Sequence, residues 1–188
     1  MSTAGVSLTV RRAVPRDAGP IGAVHVAGWR SAYAGILPSD YLSRLSLPRQ
    51  AAQYDAAIHA GEGVYVALGG GPRPTVVGFV TVGRPRAPGL AGKPLGDGEV
   101  QTLYVLDDWR DRGVGRKLLA AGAAHLAGAG CRSAFLWVLR GNPSRWFYAH
   151  LGGRLAMESD VMVGATAVPQ LAFVWDPIAP LLGAADPR

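Results

Sequence analysis

Cysteine is almost absent from this chain of 188 residues, where Cys131 stands alone. A single thiol excludes an internal disulfide and any cysteine-based metal cluster. His25, His59, His125 and His150 lack the spacing of a ligand set, so no metal is expected. No apolar run reaches membrane-spanning length, and the N-terminus lacks the continuous apolar stretch of a signal peptide. A cytoplasmic protein without a membrane partner is therefore expected. Charged residues make up only 17% against 49% hydrophobic, which excludes a largely disordered chain. Lysine is scarce too, with Lys93 and Lys117 standing against 17 arginines. Those arginines are scattered without a long basic run, so the net charge of +6 is not read as a nucleic-acid footprint. The length suits one domain spanning residues 1–188, with its core over about 8–175 and a loosely held tail over 176–188.

What the chain does contain is concentrated in Gly98–Leu119, GEVQTLYVLDDWRDRGVGRKLL. Val100, Thr102, Leu103, Tyr104 and Val105 favour a strand. From Val114 onward, Leu118, Gly122 and Leu126 recur at helical spacing. Between strand and helix, residues 110–117 carry four basic side chains and one acid, half of the chain's net charge. A glycine-containing strand-to-helix turn lets backbone approach a ligand, and unsatisfied amides at a helix start favour an anion. The nucleotide loop GxxxxGK[ST] is excluded, because no Ser or Thr follows Lys117. The dinucleotide pattern GxGxxG lacks its third glycine.

The RxxGxG run Arg110–Gly115, set between a strand and a helix, resembles the pyrophosphate-binding motif of the GNAT superfamily of N-acetyltransferases. A second stretch, Asn142-Pro143-Ser144-Arg145-Trp146-Phe147-Tyr148 followed by Gly152-Gly153, is similar to that family's later Asn…Phe-Tyr…Gly motif and comes after a strand expected at Ser133–Leu139. Arg154 departs from the aromatic that often follows those glycines. The resemblance spans roughly Leu8 to Trp175. It implies an α/β (α+β) fold, a mixed and strongly twisted central sheet flanked by helices, whose splayed central strands hold acetyl-CoA. It also implies acetyl transfer to a primary amine of a small molecule or peptide by direct attack. A non-catalytic acyl-CoA-sensing module is the alternative, a nucleic-acid-associated regulator a more remote one, and a homodimer is left open.

Site roles are implied by the resemblance residue by residue. The amides of Arg112, Gly113, Val114, Gly115, Arg116 and Lys117 would cradle phosphate, with the side chains of Arg110, Arg112, Arg116 and Lys117 screening charge. Backbone at Leu103, Tyr104 and Val105 would pair with the pantetheine arm, and Leu103 N–H would stabilise the oxyanion. Glu99 would take the amine's proton, although a solvated glutamate at a strand edge is the alternative. Asn142 and Ser144 would border the arm, while Asn142 also suits a helix N-cap before Pro143. Tyr148 would protonate the departing thiolate, with core filling as its alternative. Trp29 and Tyr33, together with His25, share one helical face. The first two would border the acceptor through cation–π contact, near an acid such as Glu158 or Asp160, unless they are core aromatics.

Elsewhere the pattern gives a strand at Leu8–Val14 and a helix from Pro15 toward Tyr33. Short helices come next, from Pro38 and over Pro48–Ala60, then strands at Gly63–Leu68 and Thr75–Val82. Pro85–Asp97 reads as a loop, and Leu155–Val163 and Leu171–Trp175 as closing strands.

Overall fold

Apolar β-branched runs and short turns build most of the sheet. The computed structural model describes residues 7–86 and 95–185. Its strands are β1 (Ser7–Arg12), β2 (Gly63–Gly70), β3 (Thr75–Gly83), β4 (Gly98–Val105), β5 (Ala134–Leu139), β6 (Arg154–Val163) and β7 (Thr166–Trp175). The helices are α1 (Ala18–Ala32), α2 (Ser39–Ser43), α3 (Leu47–His59), α4 (Val114–Gly128), α5 (Ser144–His150) and α6 (Ala179–Leu182). The strands form one seven-stranded sheet in the order β1-β2-β3-β4-β5-β7-β6. Every pairing is antiparallel except β4 with β5. That parallel pair needs a crossover, which α4 supplies. Gly122 lets α4 lie close to β3, since a Cβ there would meet a Val82 methyl at 2.8 Å.

Two cores sandwich the sheet. Leu118, Leu119 and Leu126 of α4 pack with Val80, Val82, Leu136 and Trp175 on one face. Ile21 and Val24 of α1 and Tyr54 of α3 pack with Val66 and Phe79 on the other. Strand alternation divides β4 between them, with Leu103 and Val105 toward the α4 side and Tyr104 toward α1. A third cluster joins Tyr33, Leu37 and Leu42 to Leu139 and Val168.

The C-terminal segment, described as far as residue 185, is not loosely held. Ile178, Leu181 and Ala184, spaced by three, turn one apolar face onto α4 and are all buried. Ile178 N–H also donates to the Arg132 carbonyl at 2.8 Å. Of the loop expected over Pro85–Asp97, residues 87–94 lie outside the described residues.

The feature that positions the site lies at the sheet's centre. β4 pairs with β5 only at Gly98–Ala134 and Glu99–Phe135. Beyond that vertex β5 continues along β7 to Leu139, while β4 continues along β3 to Val105, so the two strands part. Immediately past the vertex β4 carries a bulge. Thr81 opposes Thr102 and Val82 opposes Val100, which leaves Gln101 as the extra residue.

Candidate active site

A cavity of about 540 Å³ fills the space between the parted strands. Its outer end is the glycine turn. Asp107–Trp109 forms one 3-10 turn, Arg110 is extended, and the chain then reverses through Asp111 at φ 58° and Gly113 at φ 75°. Gly113 lies in the left-handed region and offers no side-chain cap to α4. Lys117 N–H makes a helical bond back to the Gly113 carbonyl at 3.1 Å. The amides of Val114, Gly115 and Arg116 are thereby left at an open helix start, an arrangement suited to an anion. At Gly115 a Cβ would stand 3.3 Å from the Phe147 ring, so glycine also lets α5 close against this turn.

Of the basic side chains here, Arg110 and Arg116 line the cavity. Arg110 is paired with Asp107 at 2.8 Å. Arg112 and Lys117 are not part of the lining, and the Arg112 guanidinium lies over the Trp109 ring, 5.4 Å from its centroid.

The inner end is built of side chains. Leu103, Tyr104 and Val105 of β4, Asn142 and Ser144 before and within α5, Tyr148, and Tyr33 from the end of α1 all line the cavity. Asn142 is buried and its Oδ1 accepts from Ser144 N–H at 2.9 Å, so it caps α5 as expected of its cap role. Tyr148 is buried in α5, and burial, with Tyr33 nearby, raises its pKa well above the ordinary tyrosine value. Its hydroxyl is accordingly protonated at neutral pH. The Tyr33 and Tyr104 hydroxyls stand 3.2 Å apart. Burial raises both, with Tyr104 and Asn142 tempering the rise at Tyr33.

Glu99 sits elsewhere. It is 3% exposed and absent from the cavity lining. Arg86 takes up both its oxygens. The Arg86 main-chain N–H donates to Oε2 at 2.7 Å, while Nε and Nη2 donate to Oε1 at 3.2 and 2.9 Å. The carboxylate expected to act as base is thus held in an ion pair at the vertex of the strands. Trp29 is likewise outside the lining. It stacks on His25 at 5.5 Å and meets Tyr33 edge-on at 4.9 Å, with its buried indole N–H unpartnered among the described residues. Of the acids expected near it, Glu158 pairs with Arg140.

From Thr102, which lines the cavity, a polar chain runs inward. The Thr102 and Thr81 hydroxyls are 2.6 Å apart, and the Tyr54 hydroxyl is 2.6 Å from His25 Nδ1. Burial raises the Tyr54 hydroxyl, with Thr102 and Arg86 tempering the rise. Burial also pushes the His25 imidazole down to about 4. The lining residues that sequence reasoning missed include Gln101 and Thr102 of β4, Trp109, Phe147, and Leu136, Trp137 and Val138 of β5, and it missed Arg86. The three β5 positions had a signal, because they lie in the strand preceding Asn142. Arg86 had none, being one arginine among many.

Known proteins share this fold. Residues 29–152 match the Acetyltransferase (GNAT) family. The uncharacterized N-acetyltransferase YuaI of Bacillus subtilis (strain 168) is 31% identical over 174 residues, covering 93% of this chain and 96% of that protein. Among solved structures, the N-acetyltransferase of Staphylococcus aureus Mu50 superposes with a TM-score of 0.66 at 18% identity, covering 90% of this chain and 98% of that one. The PaiA N-acetyltransferase of Thermoplasma acidophilum, solved with coenzyme A, superposes with a TM-score of 0.63 at 17% identity, covering 87% and 98%. With the family matched over residues 29–152 and the splayed sheet in place, the chain belongs to the GNAT family of acetyltransferases.

Proposed function

We propose that this chain transfers an acetyl group from acetyl-CoA to a primary amine of a small molecule or peptide by direct attack. The observation that carries the reading is a single cavity that joins an uncapped helix start at one end to a protonated, buried tyrosine at the other. The residues present fit the cosubstrate. Open amides at Val114, Gly115 and Arg116 suit a pyrophosphate, and Arg116 adds charge from the lining. Beyond Glu99 the edge of β4 facing β5 has no strand partner, which suits an extended amide-bearing arm beside Leu103, Tyr104 and Val105. The arm would run on past Asn142 and Ser144.

In this reading Leu103 N–H donates to the oxyanion that develops on the thioester carbonyl, and Tyr148 gives its proton to the departing thiolate. Tyr33 borders the acceptor directly, and Trp29 supports Tyr33 from behind. Glu99 serves the frame of the site rather than the proton, because Arg86 occupies its oxygens.

Binding is tested by thermal shift. Acetyl-CoA at about 100 times its Kd should stabilise the native protein by roughly 2.7 kcal/mol. Gly115→Glu places bulk and negative charge in the anion cradle and should abolish the shift while leaving a cooperative melt. An unchanged shift in that variant would remove the cavity's assignment.

A further inference from the structure

The Arg86–Glu99 pair is placed where the site's geometry is decided. Glu99 is the last β4 residue that pairs with β5, and Gln101, two positions on, is the bulge. Arg86 reaches both. Beyond its three bonds to the Glu99 carboxylate, Nη2 donates to the Gln101 carbonyl at 3.0 Å. The Gln101 side chain returns the contact, its Nε2 donating to the Arg84 carbonyl at 3.3 Å. On the far side of the bulge Thr102 is fixed by the Thr81 hydroxyl at 2.6 Å. The bulge is therefore held before, at and after its extra residue.

The chemistry of the partners suits a clamp. A planar guanidinium carries its donors in a fixed fork, so one side chain can grip a carboxylate and a carbonyl together in one geometry. The Glu99 side chain is 4% exposed, and Arg86 is the partner that its charge finds among the described residues. A bulge also re-aims the backbone beyond it, and Leu103 lies two residues past Gln101. A small error in the direction of an oxyanion donor is costly, because a misplacement of about 1 Å can lower a rate by about a hundredfold.

We infer that Arg86 is a positioning residue: by gripping Glu99 and the Gln101 carbonyl it locks the β4 bulge and so aims the Leu103 amide at the acyl carbonyl. The inference rests on the acetyl-transfer reading above. Glu99 is then the anchor of the clamp.

The test uses acetyl-CoA labelled with carbon-13 at the acetyl carbonyl, bound to the full chain and observed by NMR. This readout needs no acceptor. In the parent protein, hydrogen bonding from Leu103 should polarise the carbonyl and move its resonance downfield of free acetyl-CoA. Arg86→Ala should lose most of that displacement and keep the thermal shift given by coenzyme A, since the phosphate end is untouched. Glu99→Gln should lose part of it, and Arg86→Lys, which keeps a charge but not the fork, should fall between. Turnover with any amine the enzyme accepts should drop roughly tenfold to a hundredfold in Arg86→Ala, with no displacement of the pH profile. Should Arg86→Ala melt without cooperativity, the Glu99→Gln and Arg86→Lys pair decides. Full carbonyl displacement in the variants would overturn the clamp. Faster turnover in Arg86→Ala would overturn it as well, showing that Arg86 restrains Glu99 as a base. A parent protein that shows neither a thermal shift nor carbonyl displacement would instead overturn the acetyl-transfer reading itself.

Discussion

The two ends of the cavity are made of different materials. The outer end is backbone, with three open amides behind Gly113 and the half-exposed Arg110–Asp107 pair beside them. The inner end adds side chains to the open β4 edge, with Tyr33, Tyr148 and Asn142 buried and the Tyr33 and Tyr104 hydroxyls meeting across α1 and β4. Backbone presented by a rigid helix start can hold a common anionic handle whatever acyl group or acceptor lies beyond it. Buried hydroxyls whose proton affinities have been raised are suited to reaction and selection. In the proposed reading binding belongs to one end and chemistry to the other, and substitutions at the two ends should separate the two.

The largest effect is expected at the inner end. Tyr148→Phe removes one hydroxyl and leaves the ring, so single-turnover acetyl transfer should fall by roughly 10²–10⁴. Acetyl-CoA affinity should hardly move. A thiolate is a fairly good leaving group, so the loss belongs toward the lower bound. A parental rate in single turnover would return Tyr148 to the core and erase the distinction between the ends.

A second effect concerns the buried chain behind the inner end. The His25 imidazole titrates near 4 in the fold and near 6.5 when unfolded, so between those values the unfolded chain binds more protons. Stability is therefore full above pH 6.5 and lost as pH falls toward 4. From pH 7 to pH 5 this single group should cost about 2 kcal/mol, read from denaturant melts at the two pH values. His25→Gln should flatten that slope while lowering stability at neutral pH. An unchanged slope would show that the imidazole keeps its ordinary affinity.

The smallest effects sharpen the outer end. Arg116 is partly buried and lines the cavity, whereas Lys117 is exposed and outside it. Arg116→Ala should weaken acetyl-CoA binding by up to about tenfold and Lys117→Ala by less than about twofold, because exposed charges contribute little. Titration calorimetry at moderate salt would compare them. Equal losses would mean that the helix start acts through diffuse charge rather than through its lining.

The same contrast governs what could be read from the sequence. The turn after β4 is legible because local chemistry writes it: a β-branched run, two glycines and a helical period within residues 98–126. The helix expected from Pro15 toward Tyr33 is found as a 3-10 turn leading into α1, and the strand expected at Thr75–Val82 is β3 with one more residue. The inner end draws on segments far apart in sequence, which periodicity cannot join. Glu99 reads as a base in the sequence because its place in β4 is readable and its partner is not. Arg86 is only 13 residues away along the chain, yet nothing local distinguishes it. The C-terminal segment is hard to read for a related reason, since Ile178, Leu181 and Ala184 are too few to announce a helix until α4 supplies the surface they cover.

The most direct measurement tracks both products of one reaction. Parent protein, acetyl-CoA and a broad panel of primary amines are incubated, with free thiol read by colour and amide read by mass spectrometry. Acetyl transfer requires at least one amine for which amide and thiol appear in equal amounts, with both lost in Gly115→Glu and both slowed in Tyr148→Phe. Acetyl-CoA binding with no amide formed from any amine would contradict it, and would leave a module that binds the acyl thioester without using it.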